Sequence, residues 1–211
     1  MAENEAREDL RREKAALRKL IRQKAAALDP AQTGQSSRRI AGSVLSSSLW
    51  RRAGSVFCYV SVGSEPDTRE LLDRALAEGK RLYVPKCLPG PERIMLAVRI
   101  SSTKELVPGT LGIPEPVSVP DRPWETADAR ELELMLIPCV TADRAGNRLG
   151  HGAGYYDRFL APLCRDDGLP KPVGLFPVTV CLCHAALLTG HVPAEPPDVP
   201  VDHVAFGDPL P

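Results

Sequence analysis

Residues 146–158 form a glycine-dense segment, Gly-Asn-Arg-Leu-Gly-His-Gly-Ala-Gly-Tyr-Tyr-Asp-Arg, between two regular patterns. The apolar run at 132–138 predicts a buried strand before it, and residues 156–164 predict a helix after it. Gly150, Gly152 and Gly154 alternate in the loop, so the backbone there can adopt positive φ and carries few side chains. Such a loop can direct several N–H groups at one anion, and a helix start adds a positive partial charge. The pattern therefore predicts a phosphate-binding loop within an α/β fold.

Two common phosphate-binding motifs do not match this loop. A P-loop requires Gly-Lys-Ser or Gly-Lys-Thr, and neither tripeptide occurs in the chain. A dinucleotide fingerprint requires a third glycine three residues after the second, where Tyr155 stands. A glycine-rich turn without a ligand is the alternative. The neighbouring guanidinium of Arg148, ring of Tyr155 and carboxylate of Asp157 favour a nucleotide with its metal ion.

The rest of the chain alternates helical and strand patterns. Helices are predicted at 5–28, 31–50, 67–78, 156–164 and 181–188, strands at 56–60, 81–85, 95–100, 132–138, 173–176 and 201–206, and irregular proline-rich chain at 108–128. This alternation predicts one α/β domain over residues 1–206, an open, mostly parallel sheet with helices on both faces in a Rossmann-like three-layer arrangement. Residues 207–211 are expected to fray.

Open parallel sheets bind ligands beyond the carboxyl ends of their strands. Glu65 follows the predicted strand 56–60, and the glycine loop follows the predicted strand 132–138. We therefore expect both segments at the same edge of the sheet.

Charge and composition argue against several classes of protein. The 27 Lys and Arg residues equal the 27 Asp and Glu residues in number, so no net charge attracts nucleic acid or anionic lipid. Aromatic residues make up 5% of the chain, too few for a base-stacking surface. No apolar stretch reaches membrane-spanning length, and the charged N-terminus does not resemble a signal peptide. Six cysteines without CxxC spacing indicate reduced thiols in a cytoplasmic protein. No obligatory protein partner is indicated.

The segment 146–158 resembles the signature of the 5-formyltetrahydrofolate cyclo-ligases, also called methenyltetrahydrofolate synthetases. Four further segments resemble elements of that family, in the same order. They are the basic pair Lys14 and Arg18, Ser-Glu-Pro-Asp-Thr at 64–68, Leu-Val-Pro-Gly-Thr-Leu-Gly-Ile-Pro-Glu-Pro at 106–116, and Asp-Val-Pro-Val-Asp at 198–202. The resemblance spans about residues 14–206. It implies a magnesium-dependent enzyme whose substrates are ATP and a reduced folate.

The reaction that the resemblance implies converts 5-formyltetrahydrofolate and ATP into 5,10-methenyltetrahydrofolate, ADP and phosphate. The formyl oxygen attacks the γ-phosphorus, N-10 attacks the activated carbon, and phosphate departs. No protein nucleophile is needed, so the protein contributes positioning and electrostatics.

The resemblance also implies roles for individual residues. It places ATP at Lys14, Arg18, Arg148, Leu149, Gly150, His151, Gly152, Ala153, Gly154, Tyr155, Tyr156 and Asp157. It gives catalysis to Arg148 and Tyr155. It places the folate at Val60, Glu65 and Tyr155, and magnesium at Asp157. Asp143, on the approach to the loop, is a weaker candidate for a second carboxylate.

Each role has a plain structural alternative. The basic residues of the first helix are spaced by four and could form a solvated stripe. Glu65 could be a polar loop residue, and Tyr155 a packing aromatic. Asp157 could be a first-turn acid that favours the helix dipole.

Two departures from the family pattern leave other functions open. Ala142 stands where an aromatic is common, which suggests a wider folate or adenine pocket. Thr179 stands where a glutamine is common, which suggests weaker substrate binding. The alternatives are a catalytically weak relative that binds folate or nucleotide, and an ATP-dependent enzyme of this fold with another substrate.

Overall fold

The computed structural model describes residues 2–109, 112–117, 123–164, 177–196 and 198–211. The helices are α1 (Ala2–Ala26), α2 (Pro30–Ser46), α3 (Ser48–Arg52), α4 (Arg69–Ala77) and α5 (Tyr155–Leu160). The strands are β1 (Ser55–Cys58), β2 (Arg81–Cys87), β3 (Met95–Ile100), β4 (Leu106–Pro108), β5 (Pro114–Pro116), β6 (Thr126–Ala127), β7 (Leu134–Pro138), β8 (Thr141–Ala142), β9 (Arg148–Leu149), β10 (Val178–Leu182) and β11 (His203–Ala205). Within the described ranges, no helix is long and apolar enough to cross a membrane.

Seven strands form the main sheet in the order β11-β10-β7-β1-β2-β3-β6. All pairs from β11 to β2 are parallel, whereas β3 and β6 join antiparallel at one edge. β4 with β5 and β8 with β9 form two separate antiparallel ribbons. The predicted open, mostly parallel sheet is confirmed.

Alternate residues of the central strands face opposite sides of the sheet. Val56 and Leu134 belong to one buried cluster, together with residues of α2, α3 and α4. Phe57 and Met135 belong to another, together with Ile21 of α1 and a leucine of α5. Because side chains alternate along a strand, buried strands supply apolar residues to both faces. Helices therefore cover both faces, as the three-layer prediction requires.

Ser47 interrupts the predicted helix 31–50. Its hydroxyl donates to the carbonyl of Val44 at the end of α2 and accepts from the N–H of Trp50 in the first turn of α3. Its backbone is extended, with ψ 157°. One serine thus ends one helix and caps the next, as serine side chains can.

The predicted helix 181–188 is wrong at its start. Residues 181–182 belong to β10, which pairs with β7 and β11, and only Ala185–Leu187 form a single 3-10 turn. Short apolar runs suit a buried strand and a buried helix equally, so the pattern did not discriminate. The predicted strand 173–176 lies outside the described residues. The predicted irregular region 108–128 includes β5 and β6.

The last residues of the chain contact the sheet's helical layer. The Pro211 carbonyl accepts from the N–H of Ser48 at 2.8 Å, and Leu210 packs against the buried cluster that contains Val56. Residues 207–211, expected to fray, are thus held at their end.

Candidate active site

A cleft of about 760 Å³ opens where β1 and β7 end, at the carboxyl edge of the parallel strands. All residues that the sequence analysis assigned to ATP, folate, magnesium or catalysis line it. They are Lys14, Arg18, Val60, Glu65, Arg148, Leu149, Gly150, His151, Gly152, Ala153, Gly154, Tyr155, Tyr156 and Asp157. The expected convergence of the Glu65 segment and the glycine loop is therefore found, while the role of each residue stays a prediction.

The glycine loop has the backbone geometry that its sequence suggested. Gly152 and Gly154 have φ values of +102° and +74°, in the region that other residues rarely adopt. A Cβ on Gly152 would lie 3.6 Å from the guanidinium carbon of Arg18. The helix α5 that follows has six residues instead of the predicted nine, so its dipole is that of a short helix. A predicted anion at this loop would therefore depend on the loop N–H groups and on neighbouring cations.

Arg18 of α1 is tied to this loop. Its Nε donates to the Gly150 carbonyl at 2.8 Å. Burial lowers the pKa of Arg18, as does the charge of Arg22, while Asp198 and Asp157 oppose that shift. An arginine stays protonated in proteins, so a positive charge lies beside the loop.

Lys14 lies one turn earlier on α1 and is 8% exposed. Its ammonium is 2.6 Å from the Asp198 carboxylate and 3.1 Å from the Glu195 carboxylate, and both acids line the cleft. A buried, doubly paired lysine is not part of a solvated stripe. The sequence analysis did not assign Glu195 or Asp198 to the site, although the 198–202 motif was the available signal.

Arg148 and Asp157 form an ion pair of 2.6 Å between β9 and α5. The Arg148 side chain is 3% exposed, whereas that of Asp157 is 30% exposed and can meet a ligand. Arg148 lies with its guanidinium carbon 6.0 Å from the centroid of the Tyr156 ring, and its Nε has no hydrogen-bond partner within the described residues. This buried donor belongs to a side chain that lines the cleft.

Asp143 does not reach the cleft. It is 2% exposed, and its carboxylate accepts from the backbone N–H groups of Ala145, Asn147 and Val192. The expectation that Asp143 supplies a second site carboxylate is wrong, because its carboxylate holds the turn between β8 and β9 and ties that turn to Val192.

We call Lys14, Arg18, Arg148, Asp157 and residues 150–154 the cationic wall of the cleft. A second group of lining residues, which we call the apolar wall, consists of Tyr59, Val60, Met95, Ile113, Tyr155 and, as its acidic group, Glu65. Tyr155 also packs against the buried cluster around Phe57. It can therefore be both a packing aromatic and a residue of the site.

Glu65 is the acidic residue of the apolar wall, and its side chain is 10% exposed. Burial raises the pKa of its carboxyl to about 7, against the opposing effect of the Val62 N–H, which donates to it at 2.9 Å. His151 Nε2 is 4.0 Å from the other carboxylate oxygen. Partial burial, Arg22 and Arg18 lower the pKa of His151. A buried carboxyl that titrates near neutrality is typical of a functional site.

Neither departure from the family pattern lies in the cleft. Ala142 is fully buried in β8, and its carbonyl accepts from the N–H of Thr189. Thr179 is buried in β10, where its N–H and hydroxyl both donate to Asp202 at 2.8 Å. Neither side chain can therefore widen the cleft or contact a substrate there directly, and the suggested effect on substrate binding stays a prediction.

A family model described as the 5-formyltetrahydrofolate cyclo-ligase family matches residues 10–207. The chain belongs to this family. The match covers both walls of the cleft, and it confirms the resemblance found in the sequence.

Individual cyclo-ligases are similar over most of the chain. The enzyme of Mycolicibacterium smegmatis is 34% identical over 71% of this chain and 71% of its own. The enzyme of Escherichia coli is 30% identical over 88% of this chain and 95% of its own. The solved structure of Aquifex aeolicus 5,10-methenyltetrahydrofolate synthetase is 26% identical, with a TM-score of 0.73 over 92% of this chain and 89% of that one.

Two carboxylates of the cleft are of the kind that could hold a magnesium ion together with phosphates. Asp157 and Asp198 both line the cleft and have partly exposed side chains. The described ranges contain no group of three or more His, Cys, Asp or Glu side chains suited to a metal. Magnesium takes one or two carboxylates together with substrate phosphates, so a smaller set of oxygen ligands is sufficient.

Proposed function

We propose that this chain is an ATP- and magnesium-dependent 5-formyltetrahydrofolate cyclo-ligase. It converts 5-formyltetrahydrofolate into 5,10-methenyltetrahydrofolate and releases ADP and phosphate. The observation that carries the proposal is a single cleft that is lined by both the cationic wall and the apolar wall. A triphosphate and a reduced folate can therefore meet at its centre. Free thiols at all six cysteines suit a cytoplasmic location.

ATP phosphates bind along the cationic wall in this proposal. Arg18 and Arg148 supply guanidinium groups, which match phosphate oxygens better than an ammonium does. Residues 150–154 supply backbone N–H groups. Asp157 would hold magnesium, with Asp198, which also lines the cleft, as a second carboxylate ligand. The bound ion neutralises part of the phosphate charge.

The folate binds along the apolar wall. Val60, Met95 and Ile113 offer apolar contact to its ring system. Glu65 accepts hydrogen bonds from the N–H groups of the pterin, which a carboxylate does better than a carboxylic acid. Tyr155 borders both walls, so it lies beside the formyl group and the phosphates.

The chemistry needs alignment more than it needs a protein nucleophile. The formyl oxygen forms a bond to the γ-phosphorus as the bond from phosphorus to ADP breaks. N-10 then bonds to the formyl carbon and loses its proton, and the carbon–oxygen bond to phosphate breaks. Arg148 offers a buried, preorganised donor to the transferring group, where removal of water strengthens such contacts. Lys14 and Arg18 hold the phosphates in line.

The direct test is to mix protein, magnesium-ATP and 5-formyltetrahydrofolate and follow the absorbance band of methenyltetrahydrofolate. We expect a rise that requires all three components. The matched variants are Asp157→Asn, which should lower turnover and raise the magnesium requirement, and Asp73→Asn on the exposed surface of α4, which should change neither. ATP binding without any absorbance rise would exclude the proposed reaction and leave a nucleotide-binding relative.

A further inference from the structure

His184 lies behind the apolar wall, two residues after the end of β10. His184 is 2% exposed, and its Nδ1 is 2.8 Å from the hydroxyl of Ser36 in α2. Nε2 is buried and has no hydrogen-bond partner within the described residues. A buried nitrogen without a hydrogen bond destabilises the folded protein. Its presence is explained if the nitrogen forms a hydrogen bond when a ligand is bound.

The ring of His184 faces the loop that carries Glu65. A second, small cavity of about 50 Å³ is lined by His184, Ser64 and Glu65 among others. Burial lowers the pKa of His184, but the backbone of Glu65 and Ser64 opposes that shift. Only carbonyl oxygens of that backbone can favour the protonated ring. The carbonyl side of the Ser64–Glu65 segment therefore lies near His184.

The surroundings of the ring determine its tautomer. The Ser36 hydroxyl can donate to Nδ1, which leaves the proton on Nε2. The opposite tautomer would turn a lone pair of Nε2 towards carbonyl oxygens, which is repulsive. Neutral His184 is therefore a donor on the side that faces the Glu65 loop.

The loop is closed at its ends by three hydrogen bonds, and its centre is held by two bonds between Val62 and Glu65. Ser61 and Thr68 exchange two backbone-to-hydroxyl bonds of 3.1 Å, and the Tyr59 hydroxyl donates to the Pro66 carbonyl at 2.8 Å. At the centre the Glu65 N–H donates to the Val62 carbonyl at 3.3 Å, and the Val62 N–H donates to the Glu65 carboxylate at 2.9 Å.

We propose that His184 is a positioning residue that supports the centre of this loop and so sets where the Glu65 carboxylate meets the folate. Its importance for turnover rests on the proposed function, since Glu65 is there assigned to the pterin. Its effect on the loop itself does not. When the loop closes on a ligand, the Nε2–H group donates to the Ser64–Glu65 backbone.

Two variants at one position test the proposal. His184→Leu keeps the apolar volume but removes the donor, whereas His184→Gln keeps both a donor and an acceptor. We expect His184→Leu to raise KM for 5-formyltetrahydrofolate about 5- to 10-fold, the equivalent of one hydrogen bond, with KM for ATP unchanged. His184→Gln should restore most of the parental value.

A measurement without substrate separates this proposal from the proposed function. Hydrogen exchange of the amides at residues 62–66 should be faster in folded His184→Leu than in His184→Gln and the parent. If the protein lacks cyclo-ligase activity but this exchange difference is present, the positioning role stands and the proposed function fails. Equal exchange in all three proteins, or an equal rise of both KM values in both variants, would overturn the positioning role.

Discussion

The two walls of the cleft are built in different ways. In the cationic wall each basic group is already bound to another segment of the chain: Lys14 to Asp198, Arg18 to the Gly150 carbonyl, and Arg148 to Asp157. The apolar wall is made of side chains that project from strands and loops, and Glu65 is its acidic group. The basic groups of the cationic wall are therefore held in place by their own polar contacts, whereas the apolar wall offers mainly apolar contact area to a ligand.

This difference sets how steeply each wall should respond to substitution. Preorganised charges in a site shielded from water contribute much more than they do in water, so losing one is costly. Apolar contacts add in proportion to the area they bury, so losing one methylene changes substrate discrimination by about 1–3 kcal/mol. We expect large effects on turnover from the cationic wall and smaller, pH-dependent effects on folate binding from the apolar wall.

Arg148→Met should have the largest effect. It removes the buried donor but leaves Asp157, whose side chain is 30% exposed and can be hydrated. We expect kcat to fall about 100- to 1,000-fold, as for loss of one preorganised donor to a transition state. Steady-state kinetics measures this change, and thermal unfolding shows that the fold persists. The control is Arg99→Met, which removes an exposed ion pair of 2.7 Å with Glu125 outside the cleft. A kcat within threefold of the parent would contradict a role for Arg148 in phosphate transfer.

Gly152→Val should have the next largest effect, on ATP binding. The φ of +102° strains any side chain by roughly 1–3 kcal/mol, and the added Cβ would come into van der Waals contact with the Arg18 guanidinium. We expect ATP affinity to fall about 10- to 100-fold, measurable by calorimetric titration. Gly79→Val is the matched control, because Gly79 has φ +70° in open space at the end of α4. That control should lose stability and keep its ATP affinity. Equal ATP affinity in both variants would show that the loop does not bind phosphate.

The parts of the site that sequence could predict are those built from local patterns. The strand, glycine loop and helix at 132–164 follow one another along the chain, so spacing alone places Gly152 beside Arg148 and Asp157. The rule that parallel strands present their carboxyl ends together also placed Glu65 at the same edge.

Contacts between distant segments could not be predicted in this way. Lys14 and Asp198 are 184 residues apart, and no periodicity relates them. Asp143 stands close to the loop in sequence but turns inward to bind backbone N–H groups, which only the tertiary structure reveals. Thr179 was matched to a site position, yet it lies within β10. The match failed because the apolar residues 181–182 were assigned to a helix, although they belong to the same strand as Thr179.

Glu65→Gln should have a moderate effect on folate binding that depends on pH. Because burial raises the pKa of Glu65 to about 7, the parent gains its carboxylate as pH rises through 7. We expect folate affinity of the parent to increase up to about 10-fold from pH 6 to pH 8, since a carboxylate accepts pterin hydrogen bonds better than its acid. The Gln variant should lack this increase. A parallel pH dependence in both proteins would assign the titration to another group, with His151 at 4.0 Å as the first candidate.

The same substitution should change stability in a definite direction. The pKa of Glu65 in the folded protein is above its ordinary value of 4.5, so the folded state holds the proton more tightly than the unfolded state. The contribution of the protonated Glu65 carboxyl to stability is therefore fully present below about pH 4.5 and is lost as pH rises through about 7. Glu65→Gln should increase the free energy of unfolding relative to the parent at pH 8, by up to about 3 kcal/mol, and by much less at pH 4.5. Thermal unfolding at the two pH values measures this difference. An equal difference at both pH values would contradict the raised pKa.

Arg93→Ala should have the smallest effect, because it acts on the cationic wall from outside. Arg93 lies in the turn between β2 and β3 with a φ of 53°, and its guanidinium donates to the Ala153 carbonyl at 2.7 Å. In a trans peptide the carbonyl and the following N–H point in opposite directions, so holding the Ala153 oxygen also orients the N–H of Gly154.

We expect Arg93→Ala to raise KM for ATP about threefold with little change in kcat, the effect of one exposed hydrogen bond. Arg93→Gly separates the loss of the guanidinium contact from the effect of backbone strain in the turn, since glycine accepts the positive φ without cost. Both variants should show the same KM if the guanidinium orients the loop. If Arg93→Gly keeps the parental KM while Arg93→Ala does not, the turn conformation rather than the contact to Ala153 supports the cationic wall.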